Sequence, residues 1–268
     1  MFDDFKRAMA KEFEMTDIGL MSYYLGIEVK QRDDGIFISQ EGYAKKFSRN
    51  LRWRIFEILD LYKTGYSFGV GLVSRHMEAP TTSHLKVAKR ILRYIQGTID
   101  HGIFYKSSQD FELVGYCDSD WAGDIDSRKS TTGFVYFMGS SAFTWNSKKQ
   151  PIVTLSTCEA EYVAVASCVC HAIWLRGLLK ELNFQQKNPT EIFVDNKSAI
   201  ALAKNPVFHE RSKHIDTKYH FIRDCISKKE VKLEYVKSQD QIADIFTKAL
   251  KFDSFKKLRF SLGVMNLV

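Results

Sequence analysis

The sequence predicts a mixed α/β fold, in which an antiparallel meander of strands is continued by parallel crossover strands. Three consecutive strand-like runs, FELVGYCD, TTGFVYFM and SAFTWNS, are separated by short turns, which is typical of a meander. A long apolar helix over 156–182 follows, and helices then alternate with the short apolar strands EIFVD and KLEYVK. Because a connecting helix usually joins parallel strands, the later strands are expected to extend the same sheet in parallel.

The elements of the front half are predicted from local patterns. A helix over Asp3–Phe13 precedes the runs YYLGIEVKQ and GIFISQ, which form a hairpin because an acid–glycine turn separates two alternating apolar runs. A second helix covers Gly42–Asn50. After Pro80, the run HLKVAKRILRYIQGT has an apolar stripe and a basic face, so it predicts an amphipathic helix that ends at Gly97.

The back half adds three further helices to the strands already named. They are predicted at NKSAIALAK, Lys213–Ser227 and Gln239–Leu250, which makes the order of the back half βββ-α-β-α-α-β-α. Residues 51–75 begin with an apolar run and continue as glycine-rich sequence without a clear period, so no element is predicted there.

Length, charge and composition exclude several classes of protein. The chain has 268 residues and a net charge of +7, and its 45% apolar content is enough for a folded core. Its uncharged apolar stretches fall far below the roughly 18 residues of a membrane span, and its acidic start is unlike a secretory signal. Five cysteines, an odd number, argue against disulfides. We therefore expect an intracellular protein without a membrane partner, whose basic excess suits a nucleic-acid partner.

Four acidic residues lie within or at the end of apolar runs, where an unpaired carboxylate costs free energy. If they converged on one point of the sheet, they would repel one another unless divalent cations, which prefer oxygen ligands, were bound. Two metal ions about 3.5–4 Å apart can activate a water and stabilise a leaving oxygen in phosphodiester hydrolysis. The four residues are Asp118, Glu161, Asp195 and Asp244.

Each of these acids also has a simpler interpretation. Asp195 precedes a helix and would serve as its N-cap, and Glu161 alone would be a partly exposed helix acid. Glu159 and Glu161 point about 160° apart on a helix, so only one can face the sheet, and the sequence alone does not say which. Asp118 competes with three neighbouring acids, and strand spacing places the nearest of them on the same face. These neighbours are Asp120, Asp124 and Asp126.

Three long stretches surround the four acids: GYCDSDWAGDIDSRKSTTGFVYFMGSSAFTWNSKKQPIVTLSTCEAEYVAVA, VDNKSAIALAKNPVFHERSKHIDTKYHFIRD and VKSQDQIADIFTKAL. Over about residues 111–264 the chain closely resembles the ribonuclease H domain of copia-type LTR retrotransposon polyproteins. The resemblance implies the ribonuclease H-like fold, a five-stranded mixed sheet flanked by helices. It also implies hydrolysis of the RNA strand of an RNA–DNA hybrid by two Mg²⁺ ions, for which Mn²⁺ could substitute, leaving a 3′-hydroxyl.

The same resemblance implies which acids form the site. By motif position, CDSDWAG supplies Asp118, EAEYVA supplies Glu161 rather than Glu159, VDNKSA supplies Asp195 and IADIFTK supplies Asp244. These four are implied as both the catalytic residues and the metal ligands. Cellular ribonucleases H carry a histidine in the loop before the last acid, whereas VKSQDQIAD is short and has none. The resemblance therefore implies slower or different turnover rather than inactivity.

The front half resembles the same polyproteins in pieces. Residues 1–50 resemble the end of a reverse transcriptase palm and the start of its thumb, and residues 74–106 resemble the connection into ribonuclease H. Residues 51–73 do not resemble the longer family stretch and are interpreted as a deletion, a frameshift or a mispredicted splice. We therefore predict a ribonuclease H-like domain at 107–268 behind an incomplete reverse transcriptase remnant. Because the tyrosine-x-Asp-Asp polymerase motif is absent from the sequence, we expect that the upstream reverse transcriptase portion is missing and that polymerase activity is absent.

Basic loops at the two ends of the meander are candidates for binding the hybrid, since phosphates are contacted by Lys, Arg and Ser side chains. The basic face of the 84–98 helix is a third candidate, for which a solvated surface is the simpler interpretation. The candidate loop residues are Arg128, Lys129, Ser130, Lys148 and Lys149.

Three functional hypotheses follow from the sequence. The first is a metal-dependent ribonuclease H that acts in a cytoplasmic retrotransposon particle or in the nucleus. The second is a catalytically inactive, degenerate fragment that keeps residual nucleic-acid binding, and the third is another nuclease of the same fold, such as a resolvase or an integrase-like enzyme. The intact set of four acids favours the first over the second, whereas the atypical segment at 51–73 favours the second. The meander followed by the EAEYVA helix favours the first over the third.

Overall fold

Two five-stranded sheets organise the chain in the computed structural model, which describes residues 2–14, 19–49, 66–107, 112–204 and 216–266. The N-terminal sheet has the order β1-β2-β3-β4-β10 and is antiparallel throughout. Its strands and the helices around it are α1 Phe2–Glu12, β1 Tyr23–Tyr24, β2 Ile27–Arg32, β3 Gly35–Ser39, α2 Glu41–Arg49, α3 Ser67–Ser74, α4 Thr82–Gln96, β4 His101–Lys106 and β10 Val264–Asn266.

The second sheet, which we call the mixed sheet, has the order β7-β6-β5-β8-β9. Strands β5, β6 and β7 form the predicted antiparallel meander, and β8 and β9 run parallel to β5. The predicted fold class is therefore confirmed. Its elements are β5 Leu113–Ser119, β6 Thr131–Met138, β7 Ser141–Lys149, α5 Thr157–Glu181, β8 Thr190–Val194, α6 Lys197–Lys204, α7 Asp216–Ser227, β9 Val231–Tyr235, two 3₁₀ turns at Ser238–Asp240 and Ile242–Phe246 (together the 3₁₀ segment), and α8 Phe252–Ser261.

Helix α5 is the central core element of the mixed sheet. It packs against β5 and β6 on one side and against α6 and α7 on the other, which explains why its sequence is apolar on nearly all sides. Ser156 caps its N-terminus by accepting a hydrogen bond from the Glu159 backbone N–H at 3.2 Å. Among the described residues, α5 is the one helix long and apolar enough to span a membrane by composition, and more than half of that stretch is buried inside the protein.

The opposite face of the mixed sheet is covered by the 3₁₀ segment and α8. Val135 and Phe137 of β6 are buried there against Ile245 and Phe246 of the 3₁₀ segment and Leu258 of α8. This second layer holds Asp244, the last of the predicted site acids, against the sheet.

Several predictions about individual elements are corrected by the structure. The run YYLGIEVKQ is not one strand, because Leu25 and Gly26 adopt positive φ angles of 47° and 88° and form a tight turn between β1 and β2. The predicted helix over Gln239–Leu250 is wrong, since this region forms short 3₁₀ turns instead. Helix α3 lies where no element was predicted, and α8 and β10 were also missed. Two stretches concerned by predictions lie outside the described residues. The first, 50–65, holds the last residue of the predicted helix over Gly42–Asn50 and most of the atypical segment. The second, 213–215, is the start of the predicted helix over Lys213–Ser227.

The N-terminal sheet and the mixed sheet are tied together through β4 and β7. The Tyr105 hydroxyl donates to the Ala142 carbonyl at 2.8 Å, and the Ser141 hydroxyl donates to the Phe104 carbonyl at 2.7 Å. The chain then returns through β10 to pair with β4. The segment before residue 107 is thus in direct contact with the predicted ribonuclease H-like domain. The limits predicted for the four segments, 1–50, 51–73, 74–106 and 107–268, stay predictions.

Candidate active site

Three of the four predicted acids converge at the carboxyl ends of the two central strands. Asp118 lies in β5, Asp195 directly follows β8, and Asp244 lies in the 3₁₀ segment. Since Cys117 pairs with Val194 across the parallel strands, the next residue on each strand is an aspartate at the same edge. The three residues each place a carboxylate oxygen within 4.8 Å of the others.

The fourth predicted acid, Glu161, borders this cluster from α5. Its side chain is 5% exposed, and its Oε1 accepts a hydrogen bond from the Ser119 backbone N–H at 3.3 Å. Its other oxygen, Oε2, is buried and has no hydrogen-bond donor within the described part of the chain. A buried carboxylate oxygen without a donor is costly in the absence of a cation.

The structure distinguishes Glu161 from Glu159, which the helical spacing could not do. Glu159 turns back to the start of α5, where its Oε2 accepts from the Leu155 backbone N–H at 2.8 Å. Its backbone N–H bonds to Ser156 in the same turn, so Glu159 completes a capping arrangement. Burial and the charges of Asp118 and Asp195 raise the pKa of Glu161.

Two of the three acids that follow Asp118 in sequence form contacts within or next to their own loop, which connects β5 to β6. Asp120 accepts from the Thr131 backbone N–H, and Asp124 forms an ion pair of 2.7 Å with Lys149 and one of 3.4 Å with Arg75. Asp126 is exposed. Only Asp118 of this group lies in the 4.8 Å cluster.

Asp195 is likewise not the cap of the helix that follows it. The Oδ1 of Asn196 accepts from the Ala199 backbone N–H at 3.0 Å and caps α6. The carboxylate of Asp195 lies in the cluster instead, where a hydrogen bond from Ser238 partly offsets the rise of its pKa by burial.

Burial and mutual repulsion raise the pKa values of the clustered acids. Burial is the largest cause in each case, followed by the charge of Asp118 for Glu161 and Asp244. The pKa of Asp244 is raised to about 7, and those of Glu161 and Asp195 are also raised. In Asp120, burial raises the pKa to about 6. The site therefore concentrates negative charge that a cation would stabilise.

The donor set fits a divalent cation with a preference for oxygen. Every side chain in the cluster is a carboxylate, as Mg²⁺ and Mn²⁺ prefer, and none is a thiol or an imidazole. The buried Oε2 of Glu161 adds an oxygen that lacks a donor. Asp118, Glu161, Asp195 and Asp244 are the residues that could hold metal ions here.

Three residues at the site were missed by the sequence reasoning. The Thr247 hydroxyl donates to Asp118, and the ammonium of Lys248 lies 2.8 Å from Asp244 Oδ1. Gln241 is fully buried and donates to the Cys117 carbonyl at 2.9 Å. Lys248 stands four residues after Asp244, a spacing that brings side chains together on one helical turn, and this signal could have indicated it.

The predicted substrate-binding residues lie in different environments. Arg128 and Lys148 are exposed, and Lys129 is half-buried. Lys149 is paired with Asp124, and Ser130 is fully buried, with its hydroxyl accepting from the Ala122 backbone N–H at 3.1 Å. Substrate contact by these five residues stays a prediction, and Arg128 and Lys148 are the two with freely accessible side chains.

Without metal, the stability of the protein is expected to fall between about pH 4 and pH 7. The pKa of Asp244 is raised from 3.8 to about 7, and that of Glu161 is also raised, so the folded chain binds more protons than the unfolded chain in this range. Stability is lost as pH rises through the folded pKa. The pKa of Asp124 is lowered, chiefly by its hydrogen bond to Lys149. The stability that this ion pair contributes is therefore lost only in more acidic solution, below the range in which Asp244 titrates. Melting temperatures measured in EDTA and in Mg²⁺ would test this, and a melting temperature that rises with pH in EDTA would contradict it.

Gly133 is expected to tolerate no side chain, because it lies directly under the 3₁₀ segment. It pairs with Asp118 across β5 and β6, and a Cβ atom there would lie 2.6 Å from Thr247 Cγ2 and 2.8 Å from Phe246 Cβ. We expect Gly133→Ala to destabilise the protein by about 1–3 kcal/mol and to displace the 3₁₀ segment. Gly177→Ala, on the open surface of α5, is the matched control and should be neutral or stabilising. Chemical denaturation of both variants would measure the difference, and equal stability would contradict the expectation.

The site therefore lies at one edge of a mixed five-stranded α/β sheet, where acids gather at the ends of two neighbouring parallel strands. Comparison with known proteins gives four findings. A family model described as "Reverse transcriptase (RNA-dependent DNA polymerase)" matches residues 1–53. The chain is 33% identical to the retrovirus-related Pol polyprotein from transposon RE2 of Arabidopsis thaliana, over 97% of this chain and 20% of that protein.

Two further comparisons concern a shorter relative and a solved structure. An uncharacterized mitochondrial protein of Arabidopsis thaliana is 31% identical over 62% of this chain and 83% of its own length. The N-terminal RNase H domain of a Mycobacterium tuberculosis protein is 15% identical, with a TM-score of 0.39, over 57% of this chain and 99% of that chain. The chain is thus similar over nearly its whole length to retrovirus-related Pol polyproteins of transposons, and it spans about a fifth of the length of the polyprotein RE2.

Proposed function

We propose that the carboxylate cluster hydrolyses the RNA strand of an RNA–DNA hybrid with two divalent metal ions, Mg²⁺ or, as a substitute, Mn²⁺. The observation that supports this most directly is the convergence of Asp118, Asp195 and Asp244 within 4.8 Å. The similarity to transposon Pol polyproteins and the mixed five-stranded sheet support the same proposal.

In this proposal the four carboxylates hold the ions at the edge of the mixed sheet. Asp118 and Asp195 extend from neighbouring parallel strands, Glu161 approaches from α5, and Asp244 approaches from the 3₁₀ segment. Two bound ions would supply an activated water and would stabilise the leaving oxygen. Because β5 and β8 are central strands, their ends give the site a rigid base.

The substrate would lie across the loop between β5 and β6 and the end of β7. Arg128 and Lys148 are the exposed cations of these two segments, so they are the best placed to contact phosphates of the hybrid. Asp124 fixes the loop internally by accepting from the Ser127 backbone N–H and hydroxyl at 2.8 and 2.7 Å. The ion pair from Asp124 to Arg75 extends this loop's support into the segment before residue 107.

The full chain, rather than residues 107–268 alone, is the right protein for the test, because β4, β10 and Arg75 join the two parts. A labelled RNA–DNA hybrid would be incubated with the chain in Mg²⁺, in Mn²⁺ and in EDTA, beside an Asp195→Asn variant. We expect cleavage of the RNA strand that requires metal and falls at least about 10²-fold in the variant, since loss of a ligand should cost no less than loss of an outer-shell partner.

Other outcomes of this assay would lead to different conclusions. Binding of the hybrid without cleavage would indicate a catalytically inactive fragment. Cleavage of duplex DNA in preference to the hybrid would indicate another nuclease of this fold. Cleavage that persists in Asp195→Asn would show that the carboxylate cluster is not the active site.

A further inference from the structure

A positively charged side chain of the protein itself lies inside the carboxylate cluster. The ammonium of Lys248 lies 2.8 Å from Asp244 Oδ1 and 3.8 Å from Asp118 Oδ2. These are oxygens of two of the three residues that gather within 4.8 Å. Lys248 therefore supplies one positive charge at the point where the carboxylates meet.

The backbone around Lys248 holds it in this position. Its backbone N–H donates to the Asp244 carbonyl at 3.2 Å, so the two residues belong to the same turn at the end of the 3₁₀ segment. The preceding residue, Thr247, is fully buried and donates its hydroxyl to Asp118. The start of the Lys248 side chain is thus fixed beside both carboxylates.

A divalent ion and this ammonium need the same oxygens. Mg²⁺ binds carboxylate oxygens at about 2.0–2.1 Å and accepts only nearly ideal geometry. The ammonium of Lys248 is in contact with Asp244 Oδ1 at 2.8 Å, and a divalent ion bound to the same oxygen would be close enough for the two cations to repel each other strongly. Both cannot occupy the position at once.

Lys248 has room to leave. Its side chain is 42% exposed, whereas the side chains of Asp118 and Asp244 are only 2% and 13% exposed. The side chain of Lys248 also lines a cavity of about 440 Å³ together with Tyr66, Arg90 and Phe252. Rotation about its side-chain bonds would move the ammonium away from the carboxylates without moving the backbone.

We propose that Lys248 is a built-in counter-cation, which neutralises Asp118 and Asp244 in the metal-free chain and is displaced by the incoming divalent ion. This inference rests on the proposed metal-dependent function. It predicts two opposite effects of removing the charge: the metal-free chain becomes less stable, and divalent metal binds more tightly because it no longer competes with an ammonium.

The test compares the full-length wild type with Lys248→Met, Lys248→Arg and Lys257→Met. Lys257 is the matched control, because its ammonium pairs with Asp240 at 3.2 Å, outside the cluster. Binding of Mn²⁺ alone would be measured by isothermal titration calorimetry, and melting temperatures would be measured in EDTA and in Mn²⁺.

We expect Lys248→Met to melt at a lower temperature than the wild type in EDTA and to bind Mn²⁺ about 5-fold more tightly. Lys248→Arg, which keeps the charge, and Lys257→Met should bind Mn²⁺ like the wild type. If Lys248→Met fails to fold in EDTA, Lys248→Gln keeps a hydrogen-bond donor without the charge and serves for the same titration.

The outcomes separate this inference from the proposed function. Equal affinity for Mn²⁺ in the wild type and Lys248→Met, or weaker affinity in the variant, would overturn the displacement of Lys248 while leaving the metal site in place. Failure of both proteins to bind Mn²⁺ would overturn the proposed metal-dependent function together with the inference.

Discussion

Asp118→Asn is expected to abolish hydrolysis and, at the same time, to stabilise the metal-free protein. The negative charge of Asp118 raises the pKa values of Glu161, Asp195 and Asp244, so Asp118 repels all three of the other acids. It is also the most buried of the cluster, at 2% exposure. Removing its charge relieves repulsion against all three neighbours but removes a central metal ligand.

The two effects can be measured separately. Cleavage of the hybrid in Mg²⁺ should fall at least about 10²-fold, because Asp118 would touch the metal directly and its loss should cost no less than loss of an outer-shell partner. In EDTA at pH 8 the variant should be more stable by about 1 kcal/mol, which corresponds to a rise of about 2–4 °C in melting temperature for a chain of this size.

Asp126→Asn is the matched control for this prediction. Asp126 is an exposed acid in the loop that follows β5, and its replacement should change the stability by less than about 0.5 kcal/mol. If Asp118→Asn were less stable than the wild type in EDTA, its bonds to Thr247 and Lys248 would outweigh the repulsion, and the site would not be under electrostatic strain.

The sequence predicts the mixed sheet well because its strands are marked locally. Three consecutive apolar runs identify β5, β6 and β7, and a short turn joins the last two, whereas a longer loop over 120–130 joins β5 to β6. Acids that interrupt or end apolar runs identify Asp118 and Asp195. What brings these two acids together is the parallel pairing of β5 with β8, which lie more than 70 residues apart. Connecting helices predict that the later strands pair in parallel, but they do not predict which strands are neighbours. The strand order β7-β6-β5-β8-β9 is visible only in the structure.

Helical spacing alone could not decide whether Glu159 or Glu161 faces the sheet, and the structure was needed to distinguish them. Glu159 and Glu161 differ because Glu159 reaches the Leu155 N–H and Glu161 reaches the Ser119 N–H. The helical periodicity of the sequence carries no information about which backbone N–H each glutamate reaches. The family resemblance chose Glu161, and the geometry places that residue beside the cluster.

The region around Asp244 shows why the predicted helix was wrong. Apolar residues three and four positions apart fit a 3₁₀ turn and an α-helix equally well over such a short stretch. Here the side chain of Gln241 accepts from the Ala243 backbone N–H at 3.2 Å and starts a new turn at Ile242. A side-chain bond of this kind competes with continued α-helix and leaves no periodic signal in the sequence.

Gln241→Leu is expected to be the most disruptive replacement outside the carboxylates. The Gln241 side chain is fully buried and donates to the Cys117 carbonyl of β5 at 2.9 Å. It also approaches the Phe193 carbonyl of β8 at 3.5 Å, so one amide joins the 3₁₀ segment to both strands that lead to Asp118 and Asp195. Leucine would leave the Cys117 carbonyl and the Ala243 N–H without these partners.

We expect Gln241→Leu to lose about 2–4 kcal/mol of stability, since two buried backbone groups lose their partners. Gln239→Leu, at an exposed position two residues earlier, should lose less than about 0.5 kcal/mol and is the matched control. Hydrolysis at a temperature where the variant stays folded should also fall, because Asp244 would no longer be held against the sheet. Urea denaturation and the hybrid assay measure the two effects. A variant as stable as Gln239→Leu would show that packing of Ile245 and Phe246 alone positions the last acid, and that the buried amide is not needed.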